Sequence, residues 1–422
     1  MTESRRKSPD VVGNTVTFLL TKQAEHLVDG HHVKVVVVGS APKGVAVAIA
    51  ILFKIILRLF RIKERPATKD IPVKRGEEGH EEEQEAKEIR SSCAVAPRVA
   101  WQIASTRSSR STNLRLPRLT IHLADLSTRL ASELVLIDVN EDLAKAEAED
   151  ISHAAAYLGN PKIIGTKDYA CARDAAVCVV TVGSQSHEDQ QPADYLEHNL
   201  KIFKDIIPNV SKYAPNSVLL ILSKPVDILS YAAMKLSGFP PNRVIGLGTF
   251  LDSCRFQYFI SQKLEISASA IQALIIGESG PASVPVWSTV AVMGMPLKDI
   301  NKEIGTRMDP ESWGDLHAKV INSDNELITK KGYHSWGVGI CASEIVDAIV
   351  RNTCACFTVS TFLKGCRHGL EKDIFMSLPC VVGRNGVQSF IRLLYTPKEQ
   401  ELMTISCRRI YEAQKPILDK IE

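Results

Sequence analysis

The chain has 422 residues, 45% of them hydrophobic and 23% charged, a balance that predicts a globular protein large enough for two domains. Its formal net charge is only +3, and no stretch interleaves basic with aromatic residues, so nucleic-acid partners are not expected. The ten cysteines lack zinc-ligand spacing and the N-terminus lacks the apolar core of a secretory signal, which predicts no metal site and a cytoplasmic location.

The first predicted strand, Val33 to Val38, is followed by a turn from Gly39 to Gly44 and then by an apolar helical stretch. The apolar run from Val45 to Phe60 contains Lys54 and Arg58, so it lacks the roughly 20 uninterrupted residues of a membrane span. We therefore predict a buried helix and no membrane partner.

Strand, glycine turn and helix together are typical of a dinucleotide-binding unit. Gly39 permits a tight turn, Ala41 is small enough for the backbone to approach a pyrophosphate, and Gly44 lets the helix pack on the strand. Lys43 adds positive charge at the same helix N-terminus. A second apolar strand ends at Asp138, whose carboxylate is suited to a ribose diol and favours NAD over its 2′-phosphorylated form.

The spacing between the glycine turn and this aspartate is unusual. Asp138 lies 99 residues beyond Gly39, whereas the usual separation is about 20 residues. Removing residues 55–129, whose basic, acidic and Ser/Arg-rich runs have no apolar period, shortens the separation to 24. We expect this segment to be disordered or loosely attached. It is either a genuine exposed insertion or a translated intron or misplaced exon boundary, and we favour the second because such connections are short.

After Asp138 the pattern continues as helix, strand, helix, strand and helix, which predicts a parallel sheet wound on both faces. Beyond Gly248 it loosens into mixed helix and strand. We predict an α/β fold, a Rossmann-type doubly wound parallel sheet followed by an α+β substrate domain. The predicted parts are an N-terminal arm (1–34), an NAD-binding domain (35–248) interrupted by the insertion 55–129, and a substrate domain (249–422).

Five further stretches keep a common order and spacing: IFKDIIPNVSKYAPNSVLLILSKPVDILSY, GFPPNRVIGLGTFLDSCRF, VPVWS, KGYHSWGVG and SLPCVVGRNG. With them the chain resembles the L-lactate dehydrogenases of the lactate/malate dehydrogenase superfamily, over Val35 to Lys54 and from about Leu130 onward. The resemblance implies NAD as cofactor, the reaction (S)-lactate + NAD⁺ = pyruvate + NADH + H⁺ as activity on a small 2-hydroxy or 2-oxo acid, and commonly a tetramer.

The resemblance also implies roles for individual residues. Arg255 would bind the substrate carboxylate in a two-pronged pair, and Asp252 would orient a catalytic histidine. That histidine is replaced by Ser279, whose hydroxyl cannot cycle a proton near neutral pH but can hydrogen-bond to Asp252 or substrate. The arginine that polarises the substrate carbonyl is replaced by Pro192.

Three other positions belong to the implied site. Gly183 follows a strand at the cofactor side, where the family binds the dinucleotide. Lys224 replaces an asparagine that contacts nicotinamide and substrate, and its ammonium disfavours the positive nicotinamide of NAD⁺ relative to NADH. His334 replaces a threonine of the substrate pocket and is expected near Asp252.

These replacements leave several functions open. One is a lactate dehydrogenase with impaired turnover, and another is a rescued enzyme in which His334 carries the proton and Lys224 polarises the carbonyl. A third is a pseudoenzyme, a non-catalytic NAD-binding subunit that forms homo-oligomers or assembles with active lactate dehydrogenase. A fourth is an enzyme acting on a different 2-oxo acid, anchored by Arg255.

Overall fold

The computed structural model describes residues 20–22, 33–39, 43–51, 131–158, 160–183, 192–365 and 372–421. All of them belong to one compact unit, made of residues 1–59 and 129–422. The predicted insertion, most of the predicted N-terminal arm and Ala41 lie outside the described residues. The predicted domain limits stay predictions.

The first half of the fold is a parallel sheet in the strand order β4-β3-β2-β5-β6-β7. The valines of β2 pair with β3 on one side and β5 on the other, as in Val36 opposite Val135 and Cys178. The strands of this part are β2 (Lys34–Val38), β3 (Glu133–Ile137), β4 (Lys162–Thr166), β5 (Val177–Val180), β6 (Val218–Ile221) and β7 (Val244–Gly246).

Helices cover both faces of this sheet, because its strands are apolar on both sides. Val35 and Val37 face one core and Val36 and Val38 face a second, and all four are essentially inaccessible to solvent. The helices of this half are α1 (residues 43–51), α2 (Glu141–His153), α3 (Ala155–Leu158), α4 (Pro192–Tyr213) and α5 (Val226–Ser237). The predicted doubly wound parallel sheet is therefore confirmed.

The second half is mixed α and β, as predicted. Five of its strands extend the first sheet antiparallel, with Ser360 of β13 opposite Gly246 of β7, whereas β8, β11 and β12 form a separate three-stranded sheet. Its strands are β8 (Ile271–Gln272), β9 (Ile275–Gly277), β10 (Ser283–Pro285), β11 (Ala291–Val292), β12 (Met295–Pro296), β13 (Ala355–Leu363), β14 (Ile374–Gly383) and β15 (Gly386–Ile391), and β15 also pairs with β1 (Leu20–Lys22). Its helices are α6 (Phe250–Leu264), α7 (Leu297–Ile300), α8 (Asp315–Lys331), α9 (Trp336–Arg351) and α10 (Pro397–Ile421).

The apolar run that follows the glycine turn is helical as far as it is described. Ala46, Val47, Ala48 and Ile51 of α1 are buried, which confirms the prediction of a buried helix over residues 43–51. No helix among the described residues is both long and apolar enough to cross a membrane. Strand β4 was not predicted, because its sequence KIIGT is short and its side chains are only half-buried or exposed.

Candidate functional site

Three predicted cofactor residues lie at the carboxyl ends of neighbouring parallel strands. Gly39 follows β2, Asp138 follows β3 and Gly183 comes shortly after β5. The Gly39 amide donates to the carbonyl of Ile137 at 2.7 Å, which brings the glycine turn beside Asp138. The strand order reverses between β2 and β5. Open α/β sheets bind dinucleotides at the carboxyl ends of the strands that flank such a reversal.

The glycines of this turn are required by backbone crowding. Gly39 has φ +108°, and a Cβ there would lie 2.7 Å from Thr181 Oγ1. A Cβ on Gly44 would lie 1.7 Å from the carbonyl oxygen of Gly39. The Thr181 hydroxyl fixes the strand end by donating to the carbonyls of Val38 at 3.0 Å and Gly39 at 3.2 Å. The described residues thus form the narrow backbone approach that a bound pyrophosphate needs, and they fit a dinucleotide.

Lys43, expected to add positive charge at the helix N-terminus, is the first described residue of α1 and contacts a neighbouring strand end. Its Nζ lies 3.5 Å from the carbonyl oxygen of Leu222 at the end of β6, and that residue lines the cavity described next. Burial, with the nearby charge of Lys224, lowers the pKa of Lys43 to about 8. The Lys43 amine therefore interacts electrostatically with the charged residues of the cavity, Lys224 and Asp324.

A cavity of about 350 Å³ brings together five of the residues predicted for the substrate site. Asp252 and Arg255 enter it from α6, and Lys224 from the segment after β6. Ser279 follows β9, and His334 comes from the connection between α8 and α9. Pro192 is the first residue of α4, and the placement of its side chain lies outside the described residues.

The ionic centre of the cavity is Asp324 of α8, which nothing in the sequence pattern singles out. Its Oδ1 accepts from Nη2 of Arg255, and its Oδ2 accepts from Nζ of Lys224. Burial alone would raise the pKa of Asp324, but Lys224 and Arg255 hold the pKa of this carboxyl well below its ordinary value. Asp324 is therefore ionised throughout the physiological pH range.

Arg255 also binds the carboxylate predicted to orient a histidine. Its Nη1 lies 3.1 Å from Oδ1 of Asp252, one turn earlier on α6. Burial raises the pKa of Asp252, although the charge of Arg255 opposes that shift. Burial works to lower the pKa of Arg255, but Asp324 and Asp252 together hold it above its ordinary value. The guanidinium thus stays charged and has a carboxylate on each terminal nitrogen.

Ser279 is held by the main chain and by a buried acid. Its backbone amide donates to Oδ2 of Asp227 at 2.8 Å, and its hydroxyl donates to the carbonyl of Gly248 at 3.3 Å. The described contacts of Asp252 involve Arg255, so the suggested bond between Ser279 and Asp252 is not formed. Asp227 also accepts from the Ser360 hydroxyl at 2.5 Å, and burial raises its pKa to about 7.

His334 has a side chain that is 12% exposed, and its Nδ1 lies 4.0 Å from Oδ1 of Asp324. The carboxylate that it faces is thus Asp324, where Asp252 had been expected. Its Nδ1 is buried and has no hydrogen-bond partner among the residues that the structure describes. Burial lowers the pKa of His334 to about 4 and outweighs the attraction of Asp324. The imidazole is therefore neutral at pH 7.

The sheet, the glycine turn and the adjacent polar cavity define the chain as a Rossmann-type dinucleotide-binding protein. Two family descriptions match it, "lactate/malate dehydrogenase, NAD binding domain" over residues 119–246 and "lactate/malate dehydrogenase, alpha/beta C-terminal domain" over residues 249–420. The chain belongs to the lactate/malate dehydrogenase family, and NAD is the cofactor of its first domain.

Curated relatives agree with this assignment. L-lactate dehydrogenase A-like 6A of Homo sapiens is 43% identical over 288 residues, which cover 68% of this chain and 86% of the relative. The L-lactate dehydrogenase A chains of Danio rerio and Ambystoma mexicanum are 42% and 40% identical over the same shares. The chain is therefore a divergent oxidoreductase-family member similar to L-lactate dehydrogenases.

Proposed function

We propose that this chain binds NAD and is an L-lactate dehydrogenase-type oxidoreductase whose interconversion of (S)-lactate and pyruvate is impaired. The observation that carries the proposal is the environment of Ser279, which lines the cavity with Arg255 but donates its hydroxyl to a main-chain carbonyl. NAD supplies hydride transfer when bound. The protein must then hold the substrate carboxylate, polarise the carbonyl and exchange the hydroxyl proton.

Proton exchange is the function that the described residues support least. A serine hydroxyl has no pKa near neutrality, and loss of a general acid or base costs about 10²–10⁴ in rate. Replacement of the carbonyl-polarising arginine by Pro192 removes a further donor, worth about 10²–10³, although the two losses need not add. We expect NADH binding with very slow pyruvate reduction.

The test is to purify the full chain and a Ser279→His/Pro192→Arg double variant, and to measure NADH binding and NADH-dependent pyruvate reduction in both. We expect comparable NADH binding in the two proteins and a measurable but partial gain of turnover in the double variant, because Asp324 still binds Arg255 there. Efficient pyruvate reduction by the unaltered chain would overturn the proposal. A parallel preparation that lacks residues 55–129 reports whether that segment affects either measurement.

A second candidate is a subunit that contributes no turnover of its own and assembles with itself or with active lactate dehydrogenase chains, in a tetramer or another oligomer. The intact cores on both faces of the sheet favour it, because folding and assembly need that packing and catalysis needs more. Co-expression with an active lactate dehydrogenase, followed by affinity purification and sizing, tests the idea. A monomer that captures no active chain counts against it.

The rescued enzyme is the less favoured alternative. His334 and Lys224 do line the cavity, but both lie against Asp324, and the pKa of about 4 makes the imidazole a poor proton donor at pH 7. A His334→Ala variant should therefore leave any residual pyruvate-dependent NADH oxidation unchanged. A large loss of that activity would revive the alternative.

A further inference from the structure

The ion pairs at the cavity wall involve both terminal nitrogens of Arg255 and both carboxylate oxygens of Asp324. Nη1 of Arg255 is bound by Asp252, and Nη2 is bound by Asp324. The second oxygen of Asp324 is bound by the ammonium of Lys224. The described structure thus contains one carboxylate that is shared between two cations at the wall of the cavity.

This arrangement is shielded from water. The side chains of Arg255 and Asp324 are 13% and 16% exposed, and only Lys224, at 44%, reaches substantially into solvent. Charge-assisted hydrogen bonds of this kind are strong, and separating a buried pair leaves two desolvated charges without partners. An incoming carboxylate would have to displace Asp324 from Arg255 and leave that acid ionised in the cavity beside it.

We propose that Asp324 is a built-in carboxylate that occupies the carboxylate-binding position on Arg255, so that the cavity binds 2-oxo and 2-hydroxy carboxylates only weakly and prefers small neutral carbonyl compounds. The inference rests on the proposed function for the role of Arg255. It names Asp324 as the residue that determines ligand class, independently of whether protons are exchanged at Ser279.

The rest of the lining agrees with a neutral ligand. Arg255, Lys224 and the two aspartates are paired with one another, and Glu278 is paired with Arg409. The rest of the wall combines apolar side chains with uncharged polar ones, the apolar ones including Leu222, Leu247, Leu251, Val320 and Val338 and the polar ones Tyr195, Ser279, Ser283, Asn325 and His334. A small carbonyl compound without a carboxylate can enter such a space without breaking an ion pair. A carboxylate enters at greater cost, because both terminal nitrogens of Arg255 already bind carboxylates, Asp252 at Nη1 and Asp324 at Nη2.

The test compares a charged ligand with its neutral counterpart of nearly the same shape. Oxamate and oxamide are titrated calorimetrically into wild type, Asp324→Asn, Asp324→Ala and, as a control, Asp315→Asn, which removes an exposed acid from the same helix. Each titration is run with and without NADH. Circular dichroism and thermal unfolding establish that each variant is folded, and the second Asp324 variant guards against local effects of a single substitution.

We expect wild type and Asp315→Asn to bind oxamide more tightly than oxamate. The Asp324 variants should gain about tenfold or more in oxamate affinity, with little change for oxamide, so that the order reverses. The proposal is wrong if wild type binds oxamate as tightly as the folded Asp324 variants, or if oxamide binds wild type no better than oxamate. Loss of NADH binding would instead count against the proposed function, because the titrations without NADH still report on Asp324.

Discussion

The carboxylate of Asp227 accepts the backbone amide of Ser279 at 2.8 Å and the hydroxyl of Ser360 at 2.5 Å. The acid comes from the start of α5, and its two partners come from the segment after β9 and from β13. One buried side chain therefore fixes residue 279 against two other elements, although the imidazole implied at that position is absent. The backbone of residue 279 is thus held by Asp227 independently of the side chain at that position.

The first prediction concerns the pH dependence of stability that Asp227 causes. Burial raises its pKa in the folded protein to about 7, from an ordinary value of 3.8, so the folded state holds a proton that the unfolded state has released. Stability from this group is full below about pH 4 and is lost as pH rises to about 7, a change on the order of a few kcal/mol. Urea unfolding at pH 5 and pH 8 measures it.

Asp227→Asn should flatten this decline because an amide side chain does not titrate. Asparagine keeps the shape of the side chain and can still accept a hydrogen bond from the backbone amide of Ser279. Asp252, whose pKa is also raised, is present in both proteins, so the difference between them reports on Asp227 together with its repulsion by Asp252. Equal pH slopes in wild type and variant would show that Asp227 is ionised at little cost in the folded state.

A second prediction is that Ser279→His and Asp324→Ala are strongly coupled in catalysis. Histidine alone restores a proton carrier to a site whose arginine is engaged, and alanine alone frees the arginine beside a serine. We expect each single variant to raise kcat/KM for pyruvate only slightly. The double variant should exceed the product of the two single effects and recover part of the roughly 10²–10⁴ that a general acid contributes. Purely multiplicative effects would contradict the coupling.

The glycine turn gives a third prediction. A Cβ on Gly44 would approach the Gly39 carbonyl oxygen to 1.7 Å, so Gly44→Ala should destabilise the protein by about 3 kcal/mol or more and abolish NADH binding. Gly238→Ala is a matched control, because Gly238 has φ +66° and no atom within 4 Å of the added Cβ. The control should cost only about 1 kcal/mol, from backbone strain alone. Chemical unfolding of both variants measures the difference.

The fourth prediction concerns cofactor choice at Asp138. Its carboxylate accepts a hydrogen bond from the backbone amide of Asn140 at 2.9 Å. The residue follows β3 and lies beside the glycine turn. Asp138→Ala should weaken NADH binding by about tenfold, through loss of charge-assisted bonds to the ribose. The variant should affect NADPH less, because the acid repels a 2′-phosphate. Fluorescence titration of both cofactors, with Asp142→Ala as an exposed control, decides whether Asp138 contacts the ribose.

The fold could be predicted from the sequence because its signals are local. Alternation of apolar strands and helices predicts the parallel sheet. Gly39 and Asp138 could be assigned to neighbouring strand ends once residues 55–129, which lack an apolar period, were set aside. The ionic centre of the cavity could not be predicted in this way. Asp324 lies in the polar run Asn322-Ser-Asp-Asn-Glu326 of α8, where it looks like any solvated acid until tertiary packing brings it to Arg255.

His334 illustrates the same limit from the other side. Its place in the cavity followed from the motif around it. The carboxylate that it faces, Asp324, did not, because Asp324 lies on α8 and the motif lies in the connection after that helix. The contact between the Lys43 side chain and the carbonyl of Leu222 could likewise not be predicted, because the two residues are 179 positions apart. Motifs identify which residues enter a site, and long-range packing decides which of them bind one another.

The shared carboxylate of Asp324 also bears on how the protein could change over evolutionary time. A histidine introduced at residue 279 alone would lie in a cavity whose arginine and lysine still bind Asp324. An uncharged residue introduced at position 324 alone would free the arginine without supplying a proton carrier. Under the proposed function neither single substitution offers selection much gain, so efficient lactate chemistry would require at least two coordinated substitutions.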